Sequence, residues 1–336
     1  MIIKEHVNLK PRNTFGIEAR CRYWIECDDE GQLLDLLASR PWRGQETFVL
    51  GGGSNVLFTA DFPGVIFHPA MKEREIASET ATEVFLRVGA GVPWDDVVRW
   101  AVERGYGGIE NLSMVPGSVG ATPVQNIGAY GAEIGERIAR VEAIDVERGV
   151  KRVISGEECR FGYRDSLFKG EWKDRFIITR VTYRLSKTPR FHLDYRGVRE
   201  EVERTGEPSL ASIRQAIIRL REARLPDVKA LPNAGSFFKN PVVERSIAER
   251  LSALFPAMPS YPAGEGNVKL AAGWLIEQAG WKGRAIGEAA VHDKQALVLV
   301  NKGGATGSEI ARLANEIKKS VFMNFGVWIE PEVNIL

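Results

Sequence analysis

The sequence predicts an α+β protein with mixed sheets. Three observations carry this reading. In the first two hundred residues, short β-branched and apolar runs alternate with amphipathic helical stretches. Within them lies a long loop region studded with Gly117, Gly120, Gly128, Gly131 and Gly135. From Ser212 onward the texture changes to longer helical periods.

Cys21–Cys27 reads as a strand, and 29–39 as a short helix burying Leu33, Leu34, Leu36 and Leu37. Thr47–Leu50 is an apolar strand running into Gly51, Gly52 and Gly53. Val84–Val88 follows as a strand, then a helix over 93–104 with Val97, Val98, Ala101 and Val102 facing a core and Gly105 stopping it. Strands are predicted at Val141–Val146, Arg152–Ile154 and Phe176–Leu185. Ser212 is the expected cap of a helix carrying Ile213, Ile217 and Leu220, which ends before Pro226. Ser246 with Glu249 suggests a capping box for the next helix. Ala296–Val300 is a buried strand, and Thr306 with Glu309 is a further box before Ile310, Leu313, Ile317 and Val321, a helix stopped near Gly326. The main boundary falls near residue 210.

With 45 Lys and Arg against 44 Asp and Glu, the net charge is +1, which gives no whole-chain attraction to nucleic acid or an acidic membrane. The first fifteen residues lack the apolar core of a leader, and no later run is long and uncharged enough to span a bilayer. Cys21, Cys27 and Cys159 match no zinc or redox spacing and suit reduced thiols in a cytosol. The four histidines form no HExxH site, so no metal is expected.

Neither a GxxxxGK[ST] loop nor GxGxxG occurs, which removes support for ordinary nucleotide-kinase and Rossmann readings. The contexts of Ser54 and Ser118 lack the glycines of a nucleophile elbow. Two glycine blocks remain. The first is Leu50 to Leu57, LGGGSNVL; the second is Pro116 to Ala121, PGSVGA, followed by Gln125 to Gly131, QNIGAYG. Glycines after a strand let successive N–H groups turn toward one point and bind an anion, and two such loops suit a diphosphate with an adjoining ring system. Either block alone reads equally well as a tight turn.

Taken in order, these blocks resemble the UDP-N-acetylenolpyruvoylglucosamine reductase family in its type I form. The resemblance also rests on Asn13-Thr14-Phe15, the run NLSMVPGSVGATPVQNIGAYGAE, Tyr163-Arg164-Asp165-Ser166, Asn233 to Pro241 (NAGSFFKNP) and Glu330-Pro331-Glu332-Val333. It implies an FAD-binding fold of the vanillyl-alcohol-oxidase type in two subdomains, 1–70 and 71–210. It further implies a C-terminal α/β substrate-binding domain over 211–325 and a C-terminal strand, 326–336, returning to the active site. The implied reaction is NADPH-dependent, FAD-mediated reduction of UDP-N-acetylglucosamine enolpyruvate in peptidoglycan precursor synthesis, by a cytoplasmic enzyme expected to be a monomer. Relatives of the fold often carry flavin on His or Cys. The first block has neither, so the FAD is expected to be non-covalent, with His68 the one residue nearby that qualifies this.

By the same resemblance FAD is held by Gly51, Gly52, Gly53, Ser54, Asn55, Pro116, Gly117, Gly120, Asn126 and Gly128. Arg164, Ser236 and Glu332 match the catalytic set. Arg164 has the planar fork that suits a carboxylate, Glu332 would polarise the enol ether, and Ser236, between Gly235 and two phenylalanines, would donate the proton. Tyr130, Tyr163, Asn240 and Gln295 match positions near the substrate, Lys239 suits a diphosphate as a point charge, and Tyr195 lies in the loop expected to close over the nucleotide. Members usually carry a basic residue soon after EPEV, where this chain has Asn334. Two other readings stay open: another FAD-dependent oxidoreductase or oxidase of the same fold, or a silent nucleotide-binding protein.

Overall fold

The longest strands set the frame of the first of two units. In a computed structural model, which describes residues 1–39, 42 and 44–336, a five-stranded antiparallel sheet runs in the order Val150–Ser155, Ile138–Asp145, Phe176–Ser186, Glu83–Gly89, Arg74–Glu79. One face carries Leu86, Val88, Val141, Ala143, Val181 and Tyr183 at every second position of their strands, while Ile144 and Ile177 of the two central strands belong to a second core cluster. Helix α2 (Trp94–Glu103) contributes Trp94, Val97, Val98 and Ala101 to the same core, while Val102 is only partly buried. A second sheet, ordered Ile2–Asn8, Arg20–Cys27, Phe62–Pro69, Thr47–Val49, packs with helix α1 (Glu30–Ser39) around Ile25, Cys27, Leu33, Leu37, Val65 and Phe67. Of the four leucines expected inside from α1, Leu33 and Leu37 are buried, while Leu34 and Leu36 only flank the cluster.

Two short helices close this unit. In α3 (Val198–Glu203) and α4 (Leu210–Arg224), Val198, Val202, Ile213, Ala216 and Ile217 form one cluster. Arg214 of α4 grips Asp95 of α2 with two 2.7 Å bonds, holding that carboxyl below its ordinary pKa against the opposing effect of burial. The cap of α4 is Ser209, not Ser212. Ser212 N–H donates to Ser209 Oγ (3.1 Å) and Ser209 N–H to Ser212 Oγ (2.8 Å), so Ser212 is the third helical residue of a reciprocal box.

The second unit is assembled from Asn8–Arg20, Ser54–Phe62 and Arg224–Leu336. The division therefore falls at the end of α4, beyond the expected 210, because the contacts of α4 lie with α2 and α3. A four-stranded antiparallel sheet runs Asn233–Ser236, Val298–Asn301, Ala289–Val291, Ala285–Ile286. A three-stranded one runs Val242–Glu244, Asn267–Leu270, Ser260–Pro262. The final short strand, Asn334–Ile335, pairs in parallel with Val56–Leu57. Helices α5 (Arg245–Leu254), α6 (Ala272–Gln278) and α7 (Gly307–Phe325) complete the unit, with Phe255 against both Phe325 and Trp274. The Thr306–Glu309 box and a left-handed Gly326 bound α7 as the sequence predicts. The box expected at Ser246 does not form. The strand runs straight into α5, whose first N–H (Arg245) donates to Gly266 O at 2.9 Å.

Charges line one region of the five-stranded sheet. Arg87 bonds Glu142 through two guanidinium nitrogens and reaches Glu75, Lys151 joins Glu142 to Glu30 at 2.9 Å each, and Arg180 pairs with Glu30 and Glu73. The Arg87 hydrogen bonds, outweighing burial and aided by Lys151, pull Glu142 down to about 2. Its folded pKa lies below the unfolded value of roughly 4.3, so its contribution is complete above that pH and lost as pH falls toward 2. Glu142→Gln is expected to destabilise the protein at pH 7 by roughly 1–3 kcal/mol and to flatten the acid limb of stability between about pH 4.5 and 2. Denaturant melts across that range check this; an unchanged acid limb would mean that Glu142 is not the group responsible.

Candidate active site

The first glycine block leaves Thr47–Val49 and meets the second within the first unit. A Cβ on Gly51 would lie 2.4 Å from Ser118 Oγ, and one on Gly52 would lie 3.2 Å from Gly117 Cα, so the two loops approach where only hydrogen can stand between them. Three main-chain bonds pin the second loop from behind: Trp94 N–H to Gly117 O (3.0 Å), Val119 N–H to Val92 O (2.9 Å) and Gly120 N–H to Ala90 O (2.9 Å). Among the described residues, the protein provides no acceptor for the N–H groups of Gly51, Gly52, Gly117 or Ser118. Donors gathered this way suit phosphate oxygens, so these loops fit the diphosphate of a dinucleotide. His68 is tied to the first block. Its Nδ1 bonds Leu50 O at 2.8 Å, and its ring stacks on Trp24 at 4.9 Å.

A second group in this unit surrounds Arg164. The turn 162–165 is closed by Gly162 N–H to Asp165 O (3.0 Å) and Asp165 N–H to Gly162 O (3.2 Å), with Arg164 in the left-handed region at φ +54°. Its guanidinium donates to Gly128 O and lies 5.5 Å from the Tyr163 ring centre. Tyr130, also left-handed at φ +48°, meets Tyr195 edge to face at 5.3 Å, and Tyr195 is 47% exposed. Sequence reasoning gave Asn111 no role. Its buried amide donates to Tyr130 O and His192 O, each at 2.9 Å, and so ties the Tyr130 loop to the segment that leads into Tyr195. The only available signal was its place at the head of the NLSMVPGSVG run.

In the second unit Ser236 and Glu332 come together. Phe237 N–H donates to Leu297 O and Phe237 O accepts from Glu332 N–H, both at 2.7 Å, so Glu332 sits across the main chain from the residue after Ser236. Gly235 precedes Ser236 at φ +69°. Phe237 and Phe238 are buried, and Ser236 before them is partly buried. Asn55 also belongs here, its Nδ2 donating to Glu332 O at 3.2 Å, and Asn334 donates main-chain and side-chain N–H to Asn55 O. The Asn334 departure from the family pattern is thus built into the fold. Lys239 N–H donates to Glu330 O, and its ammonium lies 3.7 Å from the exposed Glu330 carboxylate. Asn240 Oδ1 caps α6 by accepting from Ala272 N–H at 3.0 Å. Gln295 N–H donates to His292 Nδ1 (3.2 Å), a bond that needs a neutral ring there, and burial accordingly lowers the pKa of His292.

Residues 22–153 match the FAD binding domain family, and residues 226–336 match the UDP-N-acetylenolpyruvoylglucosamine reductase C-terminal domain family. The chain is 47% identical over 335 residues to the UDP-N-acetylenolpyruvoylglucosamine reductase of Pseudomonas aeruginosa, covering 99% of this chain and 98% of that one. It is 44% identical over 339 residues to the enzyme of that name from Flavobacterium johnsoniae, covering both chains fully. Its fold is similar to the crystal structure of UDP-N-acetylenolpyruvylglucosamine reductase from Thermus caldophilus, with a TM-score of 0.71 at 22% identity over 99% of each chain. The expected order, an FAD-binding domain followed by the family's own C-terminal domain, is the order found.

Gly51→Val would force Ser118 and its loop away. Overpacking of this kind costs ~1–3 kcal/mol. With the loops apart, about one N–H bond to a charged phosphate is lost, roughly 1.5–3 kcal/mol, and at ~1.4 kcal/mol per tenfold FAD affinity should fall about ten- to a hundredfold in a folded protein. Titrating apoprotein with FAD measures this; native affinity would remove Gly51 from the cofactor loops.

Proposed function

We propose a mechanism for this chain, which belongs to the UDP-N-acetylenolpyruvoylglucosamine reductase family, in which Arg164, Ser236 and Glu332 carry out one reduction. The reaction is the FAD-dependent conversion of UDP-N-acetylglucosamine enolpyruvate to UDP-N-acetylmuramate in peptidoglycan precursor synthesis, and NADPH is the reductant. The setting of Ser236 and Glu332 on either side of the Phe237 peptide is the observation that most supports these roles.

Gly51, Gly52, Gly53, Ser54, Asn55 and the Pro116–Gly120 loop would hold FAD without a covalent bond, and the flavin would supply the hydride for the terminal carbon of the enol ether. The remaining chemistry belongs to the chain. As negative charge grows on the adjacent carbon and its carboxylate, the fork of Arg164 gains a partner it holds less tightly in the ground state. The hydroxyl of Ser236 delivers the proton to that carbon. A serine is a weak acid, but the transfer runs downhill to a far more basic centre, so reach matters more than matched acidity. Glu332 polarises the enol ether, and Phe237 and Phe238 restrict competing water. Lys239, Asn240 and Gln295 hold the nucleotide's polar groups with Tyr163, while Tyr195 moves over the nucleotide beside Tyr130. No helix among the described residues is long and apolar enough to cross a membrane.

The two halves of the reaction separate the proton donor from everything else. Ser236→Ala is expected to bleach its flavin with NADPH at nearly the native rate. Reoxidation by the enolpyruvyl substrate should fall at least ~10²-fold, the range for losing a positioned acid. Stopped-flow absorbance on each half decides it; fast reoxidation, or equal slowing of both halves, would take the proton transfer away from Ser236.

A further inference from the structure

The carboxamide of Asn126 is almost wholly buried and its hydrogen bonds are spent inside the protein. Its Oδ1 accepts from Gly135 N–H at 2.7 Å, while Nδ2 donates to the Glu133 carboxylate at 2.8 Å and to Gly162 O at 2.9 Å. Both amide protons are therefore used, and neither is left for a cofactor. The three partners lie on two separate pieces of chain. Glu133 belongs to the hairpin that pairs Gly128 with Glu133 and Gly135 to the 3-10 turn that follows it, whereas Gly162 opens the turn that carries Arg164. Asn126 itself is left-handed at φ +45°, which asparagine tolerates better than most residues.

Gly128 completes the link. Its carbonyl accepts from Arg164 Nη2, and a Cβ there would lie 2.6 Å from Arg164 Nη1. Its backbone lies outside the left-handed region, so conformation does not demand glycine; the space taken by the guanidinium does.

We propose that Asn126 and Gly128 are positioning residues for Arg164. Asn126 pegs the Arg164 turn to the hairpin, and Gly128 gives the guanidinium one acceptor and an empty place beside it. The proposal rests on the reading of Arg164 as the carboxylate-binding cation, and it replaces the cofactor contact that the family resemblance implied for both residues. Holding a flexible arginine by its root and its tip leaves the fork aimed before the substrate arrives, where a misplacement of about 1 Å costs on the order of 10²-fold.

Asn126→Asp keeps the acceptor for Gly135 but sets a second carboxylate oxygen against Glu133 and Gly162 O. Gly128→Ala meets the movable end of Arg164 most closely (2.6 Å), with Ala132 O at 3.0 Å and Glu133 Cγ at 3.1 Å, so the guanidinium moves furthest and the hairpin gives by a few tenths of an ångström in a folded protein. Both variants should keep their FAD content and be reduced by NADPH at close to the native rate. Reoxidation by the enolpyruvyl substrate should fall about ten- to a hundredfold. Combined with Arg164→Lys, each should be no slower than Arg164→Lys alone, since the defect acts through the same group. A crystal structure of Gly128→Ala should show the guanidinium moved from Gly128 O, a readout independent of turnover. If Arg164→Lys is slow while both variants reoxidise at the native rate, Arg164 keeps its role and the positioning proposal fails. Loss of FAD or equal slowing of both halves in Gly128→Ala also overturns it, in favour of a cofactor contact. A native rate for Arg164→Lys removes the role of Arg164 and the proposal with it.

Discussion

The peptide groups on either side of Phe237 hold the backbone at Ser236 and Glu332 in place. A donor on one side goes to Leu297 and an acceptor on the other takes Glu332 N–H, both at 2.7 Å, so the segment bearing Ser236 is bonded along both edges. Neither bond would last if the flanking chain could move. Phe237 packs edge to face on Phe238 at 5.1 Å and on Phe15 at 6.2 Å. Asn301 donates to Phe15 O (3.0 Å), Asn233 N–H donates to Thr14 O (3.0 Å), and buried Asn13 bonds both Leu9 O and Ile17 O. The Asn13-Thr14-Phe15 motif is thus a support for the Ser236 strand. Buried amides with every group satisfied specify one arrangement and penalise others.

The first unit uses space and backbone conformation for the same purpose. Asn126, Tyr130 and Arg164 all take left-handed conformations, which cost non-glycine residues free energy unless their surroundings dictate them. The surroundings are the Asn126 hydrogen bonds, the Asn111 bond to Tyr130 O and the closed 162–165 turn. Beneath them lies the five-stranded sheet with its charge network and apolar inner face, so the strained positions rest on the part of the unit with the most burial.

Period and caps made much of this legible. The apolar run of Phe176–Leu185, the apolar stripe of α2 and the Thr306–Glu309 box are local signals, and each appears where the sequence puts it. Arg74–Glu79 was invisible because it is an exposed edge strand of charged and small residues, a composition that guards an edge and does not report a core. The caps at Ser212 and Ser246 failed for a related reason. Each serine sits close to a helix start, but the residue that turns the chain was fixed elsewhere, by Ser209 in one case and by Gly266 in the other. For the candidate site, ordered motifs pointed to residues but not to their contacts. Nothing in the sequence distinguishes an asparagine that faces a cofactor from one whose amide is consumed by Glu133, Gly135 and Gly162.

The interleaved make-up of the second unit has a consequence for biosynthesis. Asn8–Arg20 and Ser54–Phe62 leave the ribosome before the rest of their unit, which lies beyond residue 223, and Val56 waits for Asn334. Contacts separated by so much chain close late and slowly, because the loop between them must be ordered first. The first unit has its long antiparallel strands complete by Ser186, well before the second unit can assemble. In the interval Leu57 and Phe58, buried in the finished protein, lie in a segment still lacking its partner strand. A nascent chain of this design is most exposed to aggregation and to chaperone capture just before its last strand arrives.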